Sequence, residues 1–94
     1  MPVEKEWRVL VVSSSVKGSE FIEKNLTENC RAEYVTSGVE ARLCLSQKDY
    51  DVVLINCPLK DEFGSELAEN VIKDSYAGAM LLVRNDVYEG VSSA

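Results

Sequence analysis

The stretch YDVVLINCPLKDEFGSEL, residues 50–67, decides the fold class. Its first part, Asp51 to Asn56 (DVVLIN), is a nearly unbroken apolar and β-branched run. A run of that length and composition is expected of a strand covered on both faces. Cys57 to Gly64 reads as a loop, and Leu67, Ala68, Val71 and Ile72 then recur at helical spacing. Strand, loop and amphipathic helix in that order form most of a βαβ unit.

The same pattern extends in both directions. Upstream, Arg8 to Val12 (RVLVV) predicts a buried strand, and Ser13-Ser14-Ser15 breaks it. A helix is expected from about Lys17 to Glu28, with Phe21, Ile22 and Leu26 on its apolar side and Glu20, Glu23 and Lys24 in solvent. Ala32 to Val35 (AEYV) is a short second strand. Thr36-Ser37-Gly38 offers an N-cap for a helix from Val39 to about Gln47, whose Ala41, Cys44 and Leu45 suit the core. Downstream, Ala77-Gly78 ends the third helix and Ala79 to Val83 (AMLLV) predicts a fourth buried strand, with Asp86 as a cap for a last helix.

Alternation of this kind implies right-handed crossovers, a parallel sheet and helices on both faces. The expected architecture is α/β, a doubly wound parallel sheet of four strands forming one domain over residues 1–94. Ligands in such folds lie beyond the carboxyl ends of the strands, where the strand order reverses. The positions to examine are therefore Ser13, Ser14, Asn56, Cys57, Val83 and Arg84.

Composition narrows the function classes. The 94 residues are 46% hydrophobic and 28% charged, an ordinary globular balance. No apolar run approaches the ~20 residues that span a bilayer. The opening MPVEKEWRVLVV has neither the basic start nor the cleavage site of a signal peptide, so a cytoplasmic protein is expected, without membrane contact. A net charge of −6 and scattered basic residues argue against direct nucleic-acid binding. Cys30, Cys44 and Cys57 form no CxxC pair and read as reduced thiols. The absence of histidine removes His-dependent triads, His metal sites and phosphohistidine chemistry.

At the strand ends the sequence resembles the receiver domain of bacterial response regulators. YDVVLINCPLKDEFGSEL is similar to that family's third strand, phosphoacceptor loop and third-helix start, with Gly64 where the family places a loop glycine. RVLVVSSS is similar to the first strand and the acidic pair after it, and the likeness runs from about Arg8 to Tyr88. The runs VVSSS, TSGVEAR, LINCPLKDEFGSELA and LLVRNDVYEGV further resemble the receiver part of ANTAR-type antitermination regulators.

The departures from that pattern matter more. By the resemblance, Asn56 takes the phosphoacceptor position, and an amide cannot form an acyl phosphate. Ser13 and Ser14 take the place of the Mg²⁺-holding acidic pair, and neutral hydroxyls are weak ligands for so hard a cation. Val83 stands where the family keeps a Thr or Ser, and it cannot hydrogen-bond a phosphoryl group. All four positions have moved towards neutrality. No metal or other cofactor is expected, Mg²⁺ binding being weak or absent.

The resemblance also implies a flavodoxin-like sheet with its four strands in the order 2-1-3-4, and a truncated receiver lacking the fifth strand and its helix. The fourth strand then becomes an exposed edge, and homo-oligomers through that edge or an uncovered sheet face are expected. The expected function is a non-enzymatic signalling module of a two-component type, acting through protein contacts on an output domain in a longer parent protein. Any RNA-binding helical module would belong to that parent.

Other readings stay open. Ser13 to Gly18, between a strand and a helix, offers backbone N–H groups to a nucleotide or another anion, though without GxxxxGK[ST] or GxGxxG spacing. A plain turn with a capping serine is the simpler account. Asp61 and Glu62 form an acidic pair in the loop, suited to a cation or, for Asp61, to a substitute phosphoacceptor; a solvated loop is the simpler account. Cys57 has no basic neighbour in sequence to activate it. Trp7 and Tyr88 read as packing residues, and Lys60 and Arg84 as solvated charges near the strand ends.

Overall fold

A computed structural model of the chain describes residues 6–26 and 29–83. The elements are β1 (Trp7–Ser13), α1 (Val16–Asn25), β2 (Cys30–Val35), α2 (Gly38–Gln47), β3 (Val52–Cys57), α3 (Gly64–Asp74) and β4 (Gly78–Val83). All strand pairs are parallel, in the order β2-β1-β3-β4. The architecture is the flavodoxin-like one expected from the sequence. The Asp86 helix cap, Arg84 and Tyr88 lie outside the described residues.

The strand residues divide by parity between two layers, because alternate side chains leave opposite faces of a strand. Leu10, Val12, Val53 and Ile55 pack with Ala41 of α2 and with Leu67, Ala68 and Val71 of α3. Val9, Val11 and Leu54 point the other way, onto Ile22 of α1. Both faces of β1 and β3 are thus buried, which is why their sequences are nearly continuous apolar runs. Cys44 and Leu45 border the α2–α3 layer as expected.

Three expectations need correction. Phe21 is exposed, although Ile22 beside it is buried, because a single helical step of about 100° turns it off the sheet. Ile72 leaves the core in the same way, one step beyond Val71. The fourth strand is not buried throughout: Met80 is 53% and Leu81 40% exposed. As the outermost strand it has a covered neighbour on one side alone.

The starts of α1 and α2 are tied down locally by capping serines. The Ser15 hydroxyl accepts from the Gly18 N–H at the start of α1, and the Ser37 hydroxyl accepts from the Glu40 N–H at the start of α2. The capping roles of these serines match the sequence reading. Phe63, at the N-cap of α3, makes no side-chain capping bond.

At the opposite end of the sheet, Tyr50 is buried and its hydroxyl donates to Glu33 over 2.6 Å. Lys48 donates to the other oxygen of the same carboxylate over 2.7 Å. The Lys48 and Tyr50 bonds together hold the Glu33 carboxyl below the usual range. Burial, followed by the bond to Glu33, pushes the Tyr50 phenol up. This cluster ties β2 to the segment entering β3.

Candidate functional site

Strand order reverses between β1 and β3, so the crevice of interest lies at the carboxyl ends of those strands. The register sets Ser13 directly beside Asn56, and Cys57 beside Val83. The fold therefore brings the sequence-derived positions Ser13, Asn56 and Val83 to one edge of the sheet, with Ser14 in the turn that follows β1.

Asn56 donates its amide to the Ser13 hydroxyl over 3.0 Å. The buried Ser13 hydroxyl in turn donates to the Ser15 carbonyl over 2.9 Å and accepts from the Ser15 N–H over 3.2 Å. A serine hydroxyl has one donor and two acceptor sites, so all of its capacity is used inside the protein. Gly18 of α1 sits against this pair. A Cβ there would overlap the Asn56 amide nitrogen and come within 2.9 Å of the Ser13 hydroxyl. Glycine is what allows α1 to approach so closely.

Ser14 has a different task. Its hydroxyl donates to the Thr36 carbonyl over 2.9 Å and accepts from the Lys60 N–H over 3.3 Å. One side chain thus joins the loops that follow β1, β2 and β3. Mg²⁺ chemistry would ask for anionic oxygens at these positions. The donor set is neutral, and its innermost member is saturated, so these residues do not fit such a cation.

The acidic residues of the β3–α3 loop point elsewhere. Asp61 accepts from the Gly38 N–H over 2.9 Å with one carboxylate oxygen and from the Val39 N–H over 3.0 Å with the other. It caps α2 from a distance, supplying an anion to free N–H groups at a helix N-terminus. Those two bonds hold its carboxyl below the usual range. Glu62 receives both Nε and Nη2 of Arg42, at 3.1 and 2.7 Å. Neither the cation reading nor the substitute-phosphoacceptor reading of this pair anticipated these engagements. Nothing local in the sequence signals them, since the partners are twenty or more residues away.

Gly64 has a packing reason. A Cβ at this position would lie 2.5 Å from the Cys57 sulfur and 3.1 Å from Cγ2 of Ile55. The glycine lets the start of α3 lie against the end of β3. Burial pushes the Cys57 thiol up, which disfavours the reactive thiolate. The Cys57–Pro58 peptide is cis.

Beside the Asn56–Ser13 pair runs an open groove of about 800 Å³ between α1 and the loop after β3. Lys17, Lys60, Phe21, Pro58 and Leu82 line it together with Ser14, Ser15 and Asn56, and among the described residues no carboxylate does. Among the described residues no group of three or more His, Cys, Asp or Glu side chains could hold a metal ion. Nor, among these residues, is any helix long and apolar enough to cross a membrane. The chain matches no protein-family model, and no curated protein is significantly similar to it.

Proposed function

We propose that this chain is a receiver-like signalling module that works without phosphorylation. The neutral Asn56–Ser13 hydrogen bond is the observation that carries this reading. It lies at the strand-order reversal, where a doubly wound sheet does its chemistry. An amide at this position has no carboxylate oxygen to take a phosphoryl group. The resemblance to bacterial receivers, and to the receiver part of ANTAR-type antitermination regulators, supplies the signalling context. On this reading the module acts through protein contacts, by the β4 edge or an uncovered sheet face, and passes its state to an output domain of a longer cytoplasmic protein.

Incubation with acetyl phosphate and Mg²⁺, followed by intact-mass measurement, tests the proposal. No mass change is expected. A gain of one phosphoryl group would overturn it, and peptide mapping would then show whether Asp61 is the acceptor.

A second reading has one observation in its favour. Among the described residues, the groove beside Ser14 and Ser15 carries two lysines and no carboxylate, in a chain of net charge −6. That suits a nucleotide or another anionic small molecule. Against it, the Ser15 and Gly18 N–H groups already have partners within the turn. A thermal-shift screen of nucleotides and inorganic phosphate separates the two, because the signalling reading requires no stabilisation.

A further inference from the structure

We propose that residues 60–62 are a latched strap, whose release carries Lys60 away from the groove beside Asn56 while α2 and the sheet stay folded. This goes beyond the signalling reading, which assigns no moving part, and it stands or falls separately.

The strap runs between two fixed points. Leu59 before it is buried in the α2–α3 layer, and the Phe63 carbonyl after it accepts from the Glu66 and Leu67 N–H groups of α3. Between them Lys60 and Asp61 are exposed and Glu62 is half-buried. These three residues bring no apolar side chain to the core, so polar contacts hold the strap down. Segments of that kind open at a lower free energy than the elements they join.

The contacts lie on two sides. Towards the groove, the Lys60 N–H donates to the Ser14 hydroxyl over 3.3 Å. Towards α2, Asp61 accepts from the Gly38 and Val39 N–H groups, and Glu62 accepts from Arg42. Gly38 is the catch. A Cβ there would overlap the Glu62 carboxylate and lie 2.7 Å from its Cγ, so the whole side chain, and not its tip alone, needs the bare backbone of α2 as a seat.

The helix does not depend on the strap. The Ser37 hydroxyl accepts from the Glu40 N–H, and the Ser37 carbonyl accepts from the Ala41 N–H. The Glu40 carboxylate reaches back to the Thr36 N–H and hydroxyl. Together these make a local cap for α2. Asp61 adds a second cap from another loop, at N–H groups that water can otherwise satisfy. One permanent and one removable cap let the strap leave without unfolding the helix. Lys60 is the first strap residue and lines the groove, so it moves with the strap.

Solvent exchange of the backbone amides of the 94-residue chain, followed by NMR, tests the proposal. The Gly38, Val39 and Lys60 amides should open together, about tenfold or more often than those of Ala41 and Val53. Gly38→Ala keeps every charge of the latch and favours the helix, yet it blocks the seat. It should raise the opening of the Val39 and Lys60 amides about tenfold, with unchanged far-UV circular dichroism. Glu62→Ala releases the latch from the other side and should act alike. In the double variant the methyl at position 38 no longer meets the Glu62 atoms, so the two effects should not add.

Strap amides that open only together with Ala41 and Val53 overturn the proposal, because the strap would then belong to the core. Unchanged exchange in Gly38→Ala, or additive effects in the double variant, also overturns it. Should Gly38→Ala fail to fold, Glu62→Ala decides alone: faster Val39 and Lys60 exchange in a folded chain supports the strap, and unchanged exchange defeats it. Phosphoryl labelling would defeat the non-phosphorylated reading without altering these rates.

Discussion

Asn56 and Ser13 occupy facing positions at the ends of β3 and β1, and the amide of the first donates to the hydroxyl of the second over 3.0 Å. The bond closes a small neutral network whose other members are the backbone groups of Ser15. Asn56→Asp replaces the donating amide by a carboxylate, in a place where the Ser13 hydroxyl already donates to Ser15. We expect a loss of about 1–3 kcal/mol in chemical denaturation. Intact mass after acetyl phosphate treatment should remain unchanged, because Ser13 and Ser14 still supply no charge for Mg²⁺.

Gly18→Ala tests how tightly α1 rests on that pair. Alanine raises helix propensity by ~1 kcal/mol relative to glycine, which alone would stabilise α1. The new methyl, however, overlaps the Asn56 amide and crowds Ser13. Overpacking costs about 1–3 kcal/mol, so a net loss of stability is expected in a urea titration. A gain would show that α1 does not press on the site.

The second close approach is Gly64 against Cys57. Gly64→Ala should destabilise the chain by about 1–3 kcal/mol through its clash with the sulfur. Cys57→Ala removes that atom, and the double variant should recover part of the loss. A double-mutant cycle in urea should therefore give a coupling energy of about 0.5 kcal/mol or more. Purely additive effects would place the strain elsewhere, for example at Ile55.

Asp61 makes the β3–α3 loop sensitive to acid. Its folded-state pKa lies below the ordinary value because two backbone N–H groups favour the charged form. Its contribution is therefore complete above the ordinary carboxyl range and is lost as pH falls through the depressed folded value. An NMR titration should show Asp61 protonating below the ordinary aspartate range, with the Gly38 and Val39 amide shifts moving in step. Asp61→Asn should remove that response at both amides.

Tyr50→Phe keeps the buried ring and deletes its hydroxyl bond to Glu33. A cost of about 1 kcal/mol is expected. The Glu33 pKa should rise towards the ordinary range while staying below it, since Lys48 remains bonded to the same carboxylate. Thermal melting and a carboxyl NMR titration check the two halves of this expectation separately.

Much of this architecture was legible in the residues. RVLVV and DVVLIN announce strands buried on both sides, while the order 2-1-3-4 was implied by the resemblance to receivers rather than by the strands themselves. The cap candidate Thr36-Ser37-Gly38 marked the start of α2, where Ser37 is the N-cap. The exposure of Phe21 and Ile72 was not legible, because apolar spacing gives a helical stripe but not its rotation on the sheet. The clasp of Asp61 on α2 depends on a contact across the fold, and so does the bond from Tyr50 to Glu33. At the site itself, sequence position brought Ser13 and Asn56 under suspicion. It did not show that they bond to each other, nor that Ser14 joins three loops while Ser13 does not.

The seat of Gly18 on the Asn56–Ser13 pair also bears on how this surface can change over generations. Residues 13, 18 and 56 share one small volume, so the substitutions tolerated at any one of them depend on the other two. In a library randomised at these three sites, the survivors should co-vary, with larger residues at position 18 accompanied by smaller ones at position 56. Single substitutions that place a carboxylate here would meet a barrier that a concerted triple change avoids. Change at this end of the sheet should therefore proceed in triplets of substitutions.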